Sequence, residues 1–310
     1  MANVMKMPSV AVIVPSYFSG ATIVDSLRSF EAQDYDGFEL IVVDSTPDLS
    51  VADIVCRHFP QIKLEHVGRR LLPHEARNLG ADLTEAEFLL FTDPDIIAPP
   101  DWISRTVRAQ QELGGVVFSP VDCYQSAWLA EGIHFCKYNH WLSGREEAVR
   151  ISVGPTSGML CRRADFEKVG RFPEGYMLGD TLISWRFTDI DVPLHLLPSP
   201  AVQHWHTSSW GKFLRERCER AREFGLIRVE MGGWGRLKAL WMVAISILLP
   251  LRFMSLTLRG INDFRKTRRL STFLVVSPVV LSGYAAWLAG ESRAYLRHLL
   301  GLPQEGPCRF

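Results

Sequence analysis

Apolar and polar positions along the first 120 residues alternate between two periods. Continuous apolar runs lie at 10–14, closed by Pro15, at 40–43, ending at Asp44, and at 88–91, ending at Thr92 and Asp93. Shorter runs lie at 62–64 and 116–118. Between them, 21–33, 51–58, 74–83 and 101–113 read as helices. Continuous apolar strands separated by helices predict an α/β domain with a mostly parallel, doubly wound sheet covered on both faces. In such sheets ligands bind beyond the carboxyl ends of the strands. That rule singles out Asp44 and Asp93 before any motif is invoked.

Residues 121–200 are less regular, with a helix expected at 181–187, and read as the second half of the same domain. Residues 211–224 form a basic helical stretch holding Lys212, Arg215, Arg217, Arg220 and Arg222. The pattern then changes. Residues 239–251 are almost wholly apolar and interrupted by Pro250; residues 273–289 carry no charge and contain Pro278. A membrane span needs about 20 apolar residues, and runs this short are more often interfacial or re-entrant. The intervening stretch, read as a loop, carries Arg259, Arg265, Lys266, Arg268 and Arg269 against Asp263. Two spans would place it opposite the catalytic half, against the positive-inside tendency if that half is cytoplasmic. The expectation is two in-plane or re-entrant helices, with a two-span hairpin and a pair of buried core helices as alternatives. The expected division is an α/β domain at 1–225 and a membrane-associated helical region at 226–310.

Composition sharpens this division. The 310 residues are 47% apolar and 22% charged, which excludes disorder and a disulfide scaffold. The 34 basic and 34 acidic side chains cancel, but unevenly. Residues 1–200 hold 17 basic and 27 acidic groups, 17 − 27 = −10; residues 201–310 hold 17 and 7, 17 − 7 = +10. An acidic catalytic half and a basic half facing phosphates or anionic lipid follow from that split. The basic half coincides with apolar helices, which argues against nucleic acid as a partner. Cys56, Cys123, Cys136, Cys161, Cys218 and Cys308 are scattered without a C-x-x-C pair, as in reduced cytosolic proteins. Residues 1–8 do not read as a secretory signal, so the catalytic half is expected in the cytoplasm at the membrane.

The sharpest local feature is Asp93-Pro94-Asp95, just after a strand. Two carboxylates on one turn can share a hard divalent cation completed by substrate phosphates; a turn with a helix cap is the plain alternative. Asp44 can accept hydrogen bonds from a base or ribose, or simply form a turn. Arg77 can meet a diphosphate as a charged fork, or form a surface ion pair. Asp180 opens a helix, as an N-cap or as a general base. His204 and His206 flank Trp205 near a strand, and alternate strand residues share a face. Either imidazole can complete a metal site or sit in the core.

In this order these pieces resemble the family 2 glycosyltransferases of the GT-A fold. The resemblance covers roughly residues 8–225. It rests on the opening strand with Pro15-Ser16-Tyr17, Ile41 to Asp44-Ser45, Ala76-Arg77-Asn78-Leu79-Gly80, and Asp93-Pro94-Asp95 followed by Pro100-Asp101-Trp102. It continues with residues 156–163, Val169-Gly170-Arg171-Phe172, Gly179-Asp180 and His204. The family often has Glu-Asp where this chain has Gly179-Asp180.

The resemblance implies an inverting transfer of a sugar from a nucleotide-diphospho-sugar to an acceptor hydroxyl, on a lipid or lipid-linked glycan. It implies Mg²⁺ or Mn²⁺ on Asp93, Asp95 and His204, and Asp180 as the base. Donor contacts would come from Pro15, Tyr17, Asp44, Arg77 and Asp93, with Arg217 and Arg220 adding positive charge. The alternative is a catalytically degenerate donor-binding or scaffold subunit, suggested by Gly179. A nucleotidyltransferase ranks last, because residues 15–22 contain only Gly20 where a glycine-rich phosphate loop is needed.

Overall fold

The run at 10–14 becomes β1 (Val10–Ser16), a strand buried along its whole length. It is followed by α1 (Ile23–Glu31), β2 (Glu39–Asp44), α2 (Ser50–His58), β3 (Lys63–His66), α3 (Pro73–Asp82), β4 (Phe88–Phe91), β5 (Ile96–Ile97), α4 (Trp102–Leu113), β6 (Val116–Phe118) and β7 (Val121–Cys123). Next come α5 (Trp128–Tyr138), β8 (Val149–Arg150), β9 (Met159–Arg162), α6 (Arg163–Lys168), α7 (Gly179–Asp189), β10 (Leu194–Leu196) and β11 (Val202–His204). The chain continues as α8 (Trp210–Met231), α9 (Arg236–Val243), α10 (Leu251–Lys266) and α11 (Leu270–Leu299). The structure, a computed structural model, describes residues 8–206, 209–248 and 250–303. The readings made for residues 1–7, Leu249 and Cys308 lie outside the described residues.

Two compact units emerge. The first comprises Met1–Asp122, Arg145–Gly175 and Gly179–His204. Its eight-stranded sheet has the order β3-β2-β1-β4-β9-β6-β10-β8. The first four strands are mutually parallel, β9 runs antiparallel between β4 and β6, and β10 is parallel to β6. The mostly parallel sheet expected from the apolar runs is therefore present. Pro15 sits inside β1, where a missing N–H ordinarily costs a ladder bond. The Ile13 carbonyl accepts from Thr92 on the β4 side, and Pro15, two residues on, faces the same way. The pairing with β4 has ended by then, at Ile13–Phe91, so no bond is lost. A smaller sheet of order β5-β11-β7 carries the residues after β4.

The second unit comprises Cys123–Gly144, Tyr176–Leu178 and Trp205–Phe310, and its described elements are helices. Phe213, Phe264, Phe273, Val276 and Val280 belong to one of its apolar clusters. The long α11 runs against α8 so closely that a Cβ at Gly290 would fall 1.9 Å from the Cys218 carbonyl oxygen. Only glycine permits that approach.

The basic loop expected after residue 251 is instead a helix: α10 occupies Leu251–Lys266. Phe253, Leu256, Ile261 and Phe264 recur at helical spacing and pack into the apolar cluster, which outweighs the local charge. Leu251, Met254 and Leu258 recur on another, exposed face. The run at 239–251 is broken near Pro250, where the helices on either side diverge by 67°. Among the described residues, α11 alone is long and apolar enough by itself to cross a membrane, and 44% of its apolar window is buried inside the protein.

Candidate active site

Four parallel strands aim their carboxyl ends at one edge of the sheet, and the candidate residues begin there. Asp44 ends β2 and is 0% exposed. Its Oδ1 accepts from Ser16 Oγ at 3.0 Å, Thr46 Oγ1 at 2.7 Å and the Thr46 backbone N–H at 3.3 Å. Its Oδ2 lies 2.9 Å from His66 Nδ1. The carboxylate thus ties together the ends of β1, β2 and β3. His66 was missed in the sequence, because nothing local to β3 signals a partner on β2. Tyr17, one residue past β1, is exposed, with the Arg70 guanidinium 5.0 Å from its ring centroid.

The segment Ala76–Gly80 on α3 explains itself residue by residue. Pro73 opens the helix, and Glu75 accepts the Leu72 N–H at 2.8 Å, closing the first turn. A Cβ at Gly80 would lie 2.5 Å from the Ile13 side chain, so glycine allows α3 to sit directly on β1. Asn78 exchanges two hydrogen bonds with the Phe172 backbone, donating at 3.0 Å and accepting at 3.2 Å. Arg77, 2% exposed, donates to the Thr92 carbonyl at 3.1 Å and to Asp93 Oδ1. Its guanidinium thus holds the turn after β4.

That turn carries Asp93 and Asp95. The antiparallel pairing of β5 with β11 sets His204 opposite Ile96, beside Asp95. Asp95 Oδ1 and His204 Nε2 are 3.6 Å apart, too long for a hydrogen bond and suited to two ligands on one ion. One ligand atom from each of Asp93, Asp95 and His204 lies within 4.8 Å of the other two. Side-chain exposures of 23%, 33% and 11% leave the group open to solvent. Two carboxylates and an imidazole form a donor set for Mg²⁺ or Mn²⁺, and the residues present fit such an ion.

Asp180 lies in the first turn of α7, where the helix dipole favours a negative charge. Its Oδ1 accepts the Thr181 N–H at 2.7 Å. Its neighbour Gly179 packs against His74, with a Cβ at 179 falling 2.5 Å from the imidazole ring. Buried His74 occupies the space that the family's usual glutamate would enter. His74 Nδ1 is in turn 3.4 Å from Arg77 Nη1. A continuous chain of contacts thus runs from the start of α7 through His74 and Arg77 to Asp93. The sequence offered no signal for His74 beyond its place three residues before Arg77.

His206 does not share the surroundings of His204. The strand ends at His204, so alternation no longer governs, and His206 lies 2.8 Å from His134 in the second unit. Arg217 and Arg220 lie on α8 of that same unit, and the Arg217 guanidinium covers the Trp287 ring at 4.4 Å. Buried Arg222 bonds to Glu219 at 2.9 Å. Glu223, missed among these basic residues, is buried and accepts the Met177 and Leu178 N–H groups, just ahead of Gly179-Asp180 along the chain.

A sequence model described as glycosyl transferase family 2 matches residues 11–170, or 160 of the 310 residues. A 113-residue stretch is 28% identical to the succinoglycan biosynthesis protein ExoO of Rhizobium meliloti, covering 36% of this chain and 32% of that protein. The chain therefore matches about a third of that relative's length. Two solved structures share the fold. The Pyrobaculum calidifontis mannosyltransferase PcManGT, in complex with GDP-Man and Mn²⁺, has a TM-score of 0.54 at 18% identity, over 89% of this chain and 88% of that one. S. aureus TarS 1-349, in complex with UDP-GlcNAc, has a TM-score of 0.53 at 17% identity, over 95% and 92%. The first unit accordingly has the GT-A fold that the motifs implied. With more than half of its length matched and the motif residues assembled at the carboxyl ends of the strands, the chain belongs to glycosyl transferase family 2.

Proposed function

We propose that the chain is an inverting, divalent-metal-dependent glycosyltransferase. It moves a sugar from a nucleotide-diphospho-sugar to a hydroxyl of a lipid or lipid-linked glycan at the cytoplasmic membrane face. The observation that carries this reading is the meeting of Asp93 and Asp95, after β4, with His204, at the end of β11. The bound nucleotide-sugars of PcManGT and TarS, and the biosynthetic role of the ExoO relative, support the substrate class.

Mg²⁺ or Mn²⁺ on those three side chains supplies Lewis-acid stabilisation of the charge that builds on the departing diphosphate. Arg77 holds Asp93 in place and compensates its charge. Asp180 takes the proton of the acceptor hydroxyl as its oxygen bonds to the anomeric carbon and the bond to diphosphate breaks. A single displacement of this kind inverts the sugar. General-base help contributes about 10²–10⁴-fold. Pro15 and Tyr17 border the donor side at the end of β1, and Asp44 keeps the adjoining strand ends in register. Arg217 and Arg220 add positive charge on α8.

Exposed Leu237, Leu240 and Trp241 on α9, with Leu251, Met254 and Leu258 on α10, support an interfacial contact with lipid. Exposed Arg259 on α10 adds charge suited to anionic headgroups. A Trp241→Glu, Leu258→Glu variant is expected to lose flotation with anionic vesicles; undiminished flotation would count against the interfacial role.

The deciding assay incubates the full chain with GDP- and UDP-sugars, with and without Mn²⁺, and follows donor hydrolysis. Turnover that needs Mn²⁺ and is lost in Asp180→Asn supports the proposal. Donor binding without turnover in the wild type leaves the second reading, a donor-binding subunit, which the His74-filled space beside Gly179 favours.

A further inference from the structure

The second unit contains a cluster that the transfer chemistry does not use. Cys123 ends β7, His134 lies on α5, and His206 follows β11 by two residues. One ligand atom from each lies within 4.8 Å of the other two. His134 is fully buried and His206 nearly so. Their facing atoms, His134 Nδ1 and His206 Nε2, are 2.8 Å apart.

The surroundings hold these groups in place. Gln125 grips the His206 backbone from both sides, donating to its carbonyl and accepting its N–H, each at 2.8 Å. The His134 ring stacks on Tyr138 at 5.1 Å with an interplanar angle of 17°. Tyr124 and Trp205 stack beside the cysteine and histidine at 4.6 Å. The amide clamp fixes the His206 backbone, and the stack on Tyr138 fixes the His134 ring.

We propose that Cys123 Sγ, His134 Nδ1 and His206 Nε2 bind a Zn²⁺ ion, with solvent in the fourth position. A thiolate with two imidazoles is a borderline-soft donor set matched to zinc, unlike the oxygen-rich set at Asp93 and Asp95. Zinc–nitrogen bonds of about 2.0–2.1 Å in tetrahedral geometry place ligand nitrogens about 3.4 Å apart. The imidazoles therefore separate by about half an ångström from their hydrogen-bonded spacing when the ion enters. The thiol proton is released to solvent. The imidazole that donates in the hydrogen bond loses that proton and takes one up from solvent at its other nitrogen, so His134 is protonated at Nε2 and His206 at Nδ1, both neutral, and the net release is the thiol proton. The ion thereby ties β7, α5 and the segment after His204 together without taking part in sugar transfer.

Plasma mass spectrometry on the full-length protein, purified without chelator and dialysed against Mn²⁺ buffer, tests this. The expected result is about one zinc per chain. Cys123→Ser and His134→Gln should each lose most of it, while Asp95→Ala keeps it. Cobalt substitution of the wild type provides a readout that does not depend on a variant folding. A tetrahedral visible spectrum with a thiolate-to-cobalt charge-transfer band is expected, and the band should vanish in Cys123→Ser. The proposal is overturned by a wild type that takes up neither stoichiometric zinc nor the charge-transfer band after reconstitution, or by full zinc retention in folded Cys123→Ser.

Discussion

His204 and His206 are two residues apart, yet they enter donor sets of opposite character. His204 joins two carboxylates in a partly open group, while His206 joins a thiol and a buried imidazole. Each member of the first set is reached from the sheet: Asp93 and Asp95 by the turn after β4, His204 by the pairing of β5 with β11. The members of the second are held by a side-chain amide and stacked rings. The first arrangement suits a hard ion that exchanges with each substrate; the second suits a soft ion that stays. Identical residue types acquire different chemistry from the elements that present them.

The most severe way to test this contrast is Asp95→Ala. It is expected to lower Mn²⁺-dependent turnover by about 10³-fold or more, since the Lewis acid supplies several kcal/mol, while zinc content stays unchanged. Parallel loss of both metals would erase the distinction between the two sets. Asp180→Asn comes next. A fall of about 10²–10⁴-fold in kcat, with donor KM little changed, is expected from the loss of a general base. A wild-type kcat in this variant removes Asp180 from the chemistry.

Arg77→Met addresses how the open set is held. Removing one partner of a largely buried ion pair costs about 3 kcal/mol, read as a lower urea midpoint together with weaker Mn²⁺ binding. Unchanged Mn²⁺ affinity would show that Asp93 does not need Arg77 to be positioned. Gly179→Glu restores the glutamate usual in the family but drives a side chain into the His74 ring. Overpacking of this kind costs about 1–3 kcal/mol. Thermal unfolding should show the loss, and adding His74→Ala should recover part of it.

The smallest effect concerns a histidine belonging to neither set. His195 on β10 is buried, and desolvation, with Arg150 nearby, lowers its pKa below the ordinary 6.5. The unfolded chain therefore binds the proton more readily, and stability falls as the pH drops from 6.5 towards the folded value. His195→Gln should flatten that slope in urea titrations; an identical slope would assign the acid sensitivity elsewhere.

Legibility in the sequence tracked the range of the interactions. The strands and helices of the first 120 residues were readable because burial on both sheet faces imposes long apolar runs. Asp44, Asp93 and Asp95 stood out as candidates because they sit at or just past the ends of such runs. The short β9 and β10 were not, since three or four residues carry too little periodicity and are stabilised by neighbours already in the sheet. The loop reading of the region after residue 251 failed for a related reason. Its charges dominate locally, while the contacts that make α10 a helix come from α5 and α11.

By itself the sequence determined the parallel sheet and the acids near the strand ends, because both follow from local pattern and spacing; the family came from a resemblance of its motifs. The tertiary structure alone decided that Asp44 is bound inward by His66, that Arg77 holds Asp93, and that His74 fills the space beside Gly179. It also decided which histidine meets the carboxylates. These are choices of partner between residues distant in sequence, and register and packing make them only after the chain has closed on itself.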